Sequence, residues 1–155
     1  MPEISLIIVT YNAEDTIGEC LQSLEGQSCR DFEVIIVDNC SSDGTKEILR
    51  SWNFNFPVKT IFLDKNSGFS AGNNIGLKNS SGTRIALLNP DAKAERNWLK
   101  NLLDAMDKNP EAGIATSKIL TWEGKSIDSA GDMLLTSLRA FKRGEGGDAA
   151  NYDSP

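Results

Sequence analysis

The chain has 155 residues, of which 39% are hydrophobic and 25% charged, and this composition predicts one globular domain with a buried core. Its formal net charge of -6 argues against a nucleic-acid partner, because binding that backbone needs clustered Lys and Arg. The absence of histidine excludes Ser-His-Asp and Cys-His nucleophile systems and His-ligated zinc sites.

The cysteines and the apolar runs indicate the compartment. Cys20, Cys29 and Cys40 are an odd number without metal-ligand spacing, which predicts free thiols in a reducing cytosol. No apolar run approaches the ~18 residues of a membrane span, and the N-terminus lacks the pattern of a signal peptide. We therefore expect a cytoplasmic protein whose membrane association is at most peripheral, at the inner face.

The first half of the chain alternates short apolar runs with amphipathic segments. Residues 4–9 predict a strand buried on both faces. A helix is expected from about 13 to 25, with Asn12 as its N-cap and Gly26 as its stop. The pattern continues with a strand over 32–37 that ends at Asp38, a turn over 39–44, a helix over 45–52 and a strand over 58–63.

The second half continues this alternation and then becomes irregular. A helix with a small-residue face is expected over 68–79, a strand over 84–88, an amphipathic helix from Trp98, a fifth strand over 113–117, and irregular structure with one hairpin over 118–139. Residues 1–142 are predicted to form the domain, and the Gly- and Asp-rich residues 143–155 a loop or linker. Alternating strands and helices predict an α/β fold with a parallel sheet.

Polar residues follow each of the first four predicted strands. The four exits are Thr10-Tyr11-Asn12, Asp38-Asn39, Asp64-Lys65-Asn66 and Asn89-Pro90-Asp91. In open α/β sheets ligands bind beyond the carboxyl ends of the strands. We therefore expect these exits to form one binding site.

Six motifs together carry a family resemblance. In chain order they are Val9-Thr10-Tyr11-Asn12, Val37-Asp38-Asn39, Ser42-Asp43-Gly44-Thr45, Asn66-Ser67-Gly68-Phe69, Gly72-Asn73-Asn74-Ile75-Gly76 and Leu87-Leu88-Asn89-Pro90-Asp91. The chain thereby resembles family 2 of the inverting glycosyltransferases, most of all its rhamnosyltransferase-type branch. The resemblance implies a GT-A (Rossmann-like) fold: a mostly parallel sheet flanked by helices in three α/β/α layers.

The resemblance also implies a nucleotide-sugar site. Thr10, Tyr11 and Asn12 would line the nucleoside cleft, and Asp38 would accept a hydrogen bond from the base or ribose. Helix entry for the first exit and a turn-starting role for Asp38 remain alternatives. The segment from Gly68 would pack beneath the nucleoside, with Gly72 and Gly76 packing the helix against the sheet and Asn73 and Asn74 facing the cleft.

Asn89-Pro90-Asp91 occupies the place of the family's Asp-any-Asp motif. Asp91 would ligate Mg²⁺ or Mn²⁺ that bridges the diphosphate oxygens, and Asn89 supplies an oxygen without a charge. An Asp near a helix N-terminus is the alternative for Asp91. Lys65 or Arg84 as a phosphate partner, and residues 127–131 near the sugar, are weaker matches.

The implied reaction transfers a sugar from a UDP- or dTDP-linked donor, with dTDP-rhamnose suggested by the branch, to a carbohydrate or lipid-linked glycan acceptor. The anomeric carbon would be inverted in cell-surface polysaccharide synthesis. No Asp or Glu of this chain matches the family's general base, so we expect that base beyond Pro155 and little or no transfer by the fragment alone.

Three other readings of the sequence differ in their requirements. A non-catalytic nucleotide-sugar-binding module, or a truncated inactive fragment, would need only the donor site. A nucleotidyltransferase would need a Gly-rich basic loop after the first strand. A dinucleotide oxidoreductase would need Gly-x-Gly-x-x-Gly at that position, and residues 9–14 contain neither of these loops.

Overall fold

The computed structural model describes residues 1–134, 136 and 139–150. Its contacts divide the chain into two compact units, Met1–Lys100 and Asn101–Pro155. Positions 135, 137 and 138 of the predicted irregular segment, and positions 151–155 of the predicted linker, lie outside the described residues.

The first unit contains a four-stranded parallel sheet. The strands are β1 (Ile4–Thr10), β2 (Phe32–Asp38), β3 (Val58–Phe62) and β4 (Arg84–Leu87), in the order β3-β2-β1-β4. The prediction of a parallel α/β sheet is confirmed. Because all four strands run the same way, their carboxyl ends lie along one edge of the sheet.

Four helices follow the strands. They are α1 (Ile17–Glu25), α2 (Thr45–Ser51), α3 (Phe69–Lys78) and α4 (Trp98–Lys108). The first three, α1, α2 and α3, each connect two parallel strands as crossover helices, and α4 follows β4. The predicted helices are confirmed, with ends that differ from the expected ones by a few residues.

Apolar residues of β1 and β2 form the centre of the core on both faces of the sheet. Successive side chains of a strand point to opposite faces, and all seven residues of β1 are buried. On one face a cluster from β1 and β2 packs against Ile75 of α3. On the other face Leu6 and Ile8 are fully buried, and α1 buries Ile17, Leu21 and Leu24. Helices flank the sheet, as expected for the GT-A fold.

Two local expectations are wrong. Asn12 does not cap α1, because residues 14–16 form a turn, the helix begins at Ile17, and Thr16 occupies the cap position. Residues 113–117 are all described and form no strand, and Ile114 among them is 89% exposed. Local β-propensity predicted a strand there, but a strand also requires a pairing partner and burial of one face.

The second unit contains two short antiparallel pairs. β5 (Ile119–Leu120) pairs with β6 (Ile127–Ser129), and β7 (Asp132–Leu134) pairs with β8 (Ala140–Lys142). Arg143 donates its N–H to Gly131 O at 2.7 Å, which continues the pairing of β7 with β8 by one residue on each side. Among the described residues, no helix has the length and apolar character needed to cross a bilayer.

Alanine at Gly76 tests how α3 packs on the sheet. A Cβ there would overlap Ile7 Cγ2 in the core, since α3 approaches β1 without a side chain in between. We expect Gly76→Ala to lower the free energy of unfolding by about 1–2 kcal/mol, because the overlap outweighs the better helix propensity of Ala. Urea unfolding measures the change.

Gly113→Ala is the matched control, since no atom lies within 4 Å of a Cβ at that position. A Gly76→Ala protein as stable as the wild type would show that α3 is free to move away from β1.

Candidate functional site

Two buried side-chain oxygens belong to residues that pair at the carboxyl ends of β1 and β2. Thr10 pairs with Asp38 in the strand register, and both residues are 0% exposed. Neither Thr10 Oγ1 nor Asp38 Oδ1 has a hydrogen-bond partner within the described part of the chain. Buried polar atoms are normally paired, and leaving one unpaired costs about 1–3 kcal/mol. Such orphaned oxygens therefore suit the polar atoms of a ligand.

The second oxygen of Asp38 is held by the protein. Asp38 Oδ2 accepts a hydrogen bond from Ser41 N–H at 3.1 Å and lies 3.8 Å from Lys46 Nζ. Lys46 follows the quoted Ser42-Asp43-Gly44-Thr45 motif, and sequence reasoning gave it no role. These contacts fix the carboxylate and leave Oδ1 as its available acceptor.

Asn12 joins the loops after β1 and β2. Its backbone has a φ of 49°, its N–H donates to Ser41 Oγ at 3.0 Å, and its Oδ1 accepts from Ser42 N–H at 2.8 Å. The next residue, Ala13, donates its N–H to Thr45 Oγ1 at 2.8 Å. The side-chain oxygen of Asn12 is thus already engaged, and its contacts shape the loop that carries Tyr11.

Glu14 and Asp43 complete the connection between these loops. Glu14 N–H donates to Asp43 Oδ2 at 3.1 Å, and Gly44 N–H donates to Glu14 Oε2 at 2.5 Å. Desolvation opposes ionisation of Asp43, but hydrogen bonds from Thr45 Oγ1 and from the N–H groups of Glu14 and Thr45 outweigh it and lower the pKa of this carboxyl. Sequence reasoning quoted Asp43 in a motif and missed Glu14.

The exit of β3 is tied to that of β2 by paired amides. Asn39 is buried, donates from Nδ2 to Asn66 Oδ1 at 2.9 Å, and accepts Ser67 N–H at 2.8 Å on its Oδ1. Asn66 Oδ1 also accepts Gly68 N–H at 2.9 Å. Gly68 has a φ of 85°, which glycine adopts without strain, and it occupies the N-cap position directly before α3.

The two asparagines of α3 face different directions. Asn73 is half-buried and donates from Nδ2 to Phe69 O at 3.1 Å within its own helix. Asn74 is exposed, and at 100° per residue it falls about half a turn from the Gly72–Gly76 face that packs on the sheet. Gly72 and Gly76 pack as predicted, with a Cβ at Gly72 reaching 2.7 Å from Val9 Cγ1.

The Asn89-Pro90-Asp91 segment follows β4 at the same edge of the sheet. Leu87, the last residue of β4, pairs with Ile7 of β1, and Asn89 and Asp91 are exposed. Cys20 Sγ contacts Asn89 O at 3.5 Å. Burial, and then the negative charge of Asp91, raise the pKa of the Cys20 thiol to about 12, so this thiol stays protonated.

The side-chain oxygens of this segment could hold a metal only together with oxygens of a bound ligand. No cluster of three Asp, Glu, Cys or His side chains occurs within residues 1–134, 136 and 139–150. One carboxylate, Asp91, and an amide oxygen from Asn89 are available. Mg²⁺ is commonly held in this way, by one or two carboxylates together with substrate phosphates.

The predicted residues differ in how closely the structure gathers them. Thr10 and Asp38 are in register, Tyr11 follows at 50% exposed, and hydrogen bonds join Asn12 to the same loops. Asn74 is not drawn into that network. Arg84 lies at the amino end of β4, where Arg84 Nη1 contacts Glu3 Oε1 at 2.6 Å, so its prediction as a phosphate partner at the strand exits is wrong.

Comparison with known proteins gives a family model and several relatives. The model described as glycosyl transferase family 2 matches residues 5–130. The putative teichuronic acid biosynthesis glycosyltransferase TuaG of Bacillus subtilis is 35% identical over 129 residues, which are 82% of this chain and 51% of TuaG. The chain therefore spans about half the length of this relative.

Two solved structures share the fold. S. aureus TarS 1-349 in complex with UDP-GlcNAc has a TM-score of 0.65 at 26% identity, over 76% of this chain and 40% of that one. The mannosyltransferase PcManGT from Pyrobaculum calidifontis, in complex with GDP-Man and Mn2+, has a TM-score of 0.64 at 27% identity, over 68% of this chain and 32% of that one.

Thiol alkylation tests the surroundings of Cys20. At pH 8 a thiol with a pKa of about 12 is almost entirely protonated, and only the thiolate reacts. We expect Cys20 to remain unmodified by iodoacetamide while the partly exposed Cys29 and Cys40 are alkylated. Peptide mass spectrometry quantifies each site, and in urea all three should react. Equal labelling of Cys20 in the folded protein would contradict its burial beneath Asn89.

Proposed function

Since the chain belongs to glycosyl transferase family 2, we propose that it binds a nucleoside-diphosphate sugar at the carboxyl edge of its sheet, as the donor-binding part of a glycosyltransferase. The observation that carries this proposal is the pair of orphaned oxygens, Thr10 Oγ1 and Asp38 Oδ1. The TarS complexes with UDP and UDP-GlcNAc support a ligand of this class. TuaG, a putative teichuronic acid biosynthesis glycosyltransferase, and TarS, a poly(ribitol-phosphate) beta-N-acetylglucosaminyltransferase, support a role in cell-surface polymer synthesis.

The two oxygens favour a base with a ring N–H beside a carbonyl. A carboxylate oxygen only accepts hydrogen bonds, whereas a hydroxyl both donates and accepts. Asp38 Oδ1 would therefore take the N3–H of uracil or thymine, and Thr10 Oγ1 would donate to the neighbouring carbonyl. Tyr11 would form an apolar wall of the cleft. Guanine also has a ring N–H beside a carbonyl, so this complementarity disfavours only cytosine and adenine, and the TarS complex with UDP favours UDP or dTDP over GDP. The Asn-Pro-Asp and Gly-Asn-Asn motifs suggest dTDP-rhamnose as the donor.

Asp91 would hold Mg²⁺ or Mn²⁺ together with the diphosphate oxygens. The ion, when bound, stabilises the negative charge of the leaving nucleoside diphosphate as a Lewis acid. The Mn2+ in the PcManGT complex supports a divalent ion at a related site. Asn89 adds an uncharged oxygen, so the affinity for metal without nucleotide should be low.

In the proposed reaction a hydroxyl of a carbohydrate or lipid-linked glycan attacks the anomeric carbon with inversion, and the bond from that carbon to the diphosphate breaks so that the nucleoside diphosphate leaves. A carboxylate would take the proton of that hydroxyl as general base, and we assign that role to no residue of this chain. The residues of this chain bind and orient the donor. A donor-binding module without catalysis is the second candidate, favoured because no carboxylate here matches the family's general base.

Thr10→Val separates binding from folding. Valine keeps the shape of threonine and removes an oxygen that has no partner among the described residues, so the free energy of unfolding should stay the same or rise. The lost ligand hydrogen bond should raise the Kd for UDP about threefold to tenfold. Calorimetric titration and urea unfolding of the same samples measure both quantities.

Thr60→Val, in the middle of β3 and away from the strand exits, is the matched control. CDP titrated beside UDP and dTDP tests the base assignment, because cytosine lacks the ring N–H, and GDP tests whether the cleft admits a purine with the same N–H and carbonyl. Wild-type affinity for UDP in Thr10→Val, or CDP bound as tightly as UDP, would refute the proposed base site.

Asp91→Asn tests the metal assignment. The amide keeps the size of the carboxylate and loses its charge, so the increase in UDP affinity on adding Mn²⁺ should disappear while metal-free binding is unchanged. Asp31→Asn, at an exposed position before β2, should retain that increase. If Mn²⁺ strengthens UDP binding equally in Asp91→Asn and wild type, the ion is held elsewhere.

A further inference from the structure

The loop that carries Asp91 has little regular structure of its own. It spans residues 88–97, between the end of β4 and the start of α4. Backbone N–H and C=O groups that lie outside a β-ladder or a helix need other hydrogen-bond partners wherever water is excluded. The partners of this loop come largely from one side of α1.

Three side chains form what we call the α1 polar stripe: Cys20, Ser23 and Gln27. They are spaced i, i+3 and i+7, which places them on one face of a helix and its continuation. Cys20 and Gln27 are each 1% exposed and Ser23 is half-buried. Buried polar groups destabilise a fold unless they are hydrogen-bonded, so this stripe needs specific partners.

The first two residues of the stripe contact the loop backbone. Cys20 Sγ contacts Asn89 O at 3.5 Å, two residues before Asp91. Ser23 Oγ accepts Ala94 N–H at 3.0 Å and donates to Cys20 O at 2.6 Å. The loop is therefore held on both sides of Asp91.

Gln27 holds the far end of the loop. Its Nε2 donates to Glu95 O at 2.8 Å, and its Oε1 accepts Leu99 N–H, in the first turn of α4, at 3.2 Å. The neighbouring Ser28 donates its N–H to Arg96 O at 2.9 Å. One buried carboxamide thus joins the end of α1, the loop and the start of α4.

We propose that the α1 polar stripe positions Asp91 for the metal-bound diphosphate, with Gln27 as its principal positioning residue; this rests on the proposed function. The stripe bonds to the loop after β4, whereas the orphaned oxygens of Thr10 and Asp38 lie at the ends of β1 and β2. Loss of the stripe should therefore weaken metal-dependent binding and spare the contacts to the base.

Gln27→Met is the test variant, since methionine fills a similar volume without hydrogen bonds. Metal-ligand geometry depends on supporting contacts of this kind, and their loss commonly weakens metal binding about tenfold to hundredfold. We expect the Mn²⁺ concentration that half-saturates the UDP complex to rise in that range. The Kd for UDP without metal should stay within about twofold of wild type. Gln22→Met, on the exposed side of the same helix, is the matched control.

Hydrogen exchange provides a readout that needs no ligand. The Leu99 amide donates to Gln27 Oε1, so it should exchange faster in Gln27→Met, while amides of β1 and β2 keep their protection. Ser23→Ala is the second variant, in case Gln27→Met folds poorly, and it should speed exchange at Ala94 and raise the Mn²⁺ requirement.

The outcomes distinguish the two proposals. If the affinity of the wild type for UDP does not change when Mn²⁺ is added, the metal assignment of Asp91 is refuted. Wild-type binding that depends on Mn²⁺, with the same Mn²⁺ requirement in Gln27→Met and Ser23→Ala, would refute the positioning role. An equal loss of metal-free UDP binding in both variants would also refute it, because the stripe would then support the fold in general.

Discussion

The in-register parallel pairing of β1 with β2 is the constraint on which the candidate site depends. It places Thr10 beside Asp38 at the end of two strands of which every residue but Glu33 is buried, where the surrounding core keeps water away from their oxygens. A slip of one residue would turn each side chain to the other face of the sheet. The apolar residues that make β1 and β2 the centre of the core therefore also align the polar atoms that follow them.

The loops beyond this edge are shaped by side chains that bond to each other and to the backbone. Asn12, Glu14 and Asp43 join the first two loops, and Asn39 joins the second loop to the third. Such bonds rigidify loops that have no secondary structure of their own, and rigid loops lose less entropy when a ligand binds. Several motif residues thus support the site without facing the ligand.

The sequence predicted the parallel sheet, the flanking helices and the strand exits, because apolar periodicity and polar breaks report local geometry directly. It could not predict that Asn12 would bond to Ser42 instead of capping α1, since that choice depends on a loop thirty residues away. The prediction of a strand over 113–117 was wrong because β-propensity carries no information on pairing partners. Gln27 gave no signal either, since a polar residue after a helix is ordinarily exposed.

The contacts of the α1 polar stripe have a consequence for sequence divergence. Its partners in the loop are main-chain atoms of Asn89, Ala94 and Glu95, which every residue type except proline provides in full. The path of the loop is therefore insensitive to most substitutions within it. Side chains around Asp91 can therefore change without changing the path of the backbone, which under the proposed function would allow a different sugar to be recognised on the same loop.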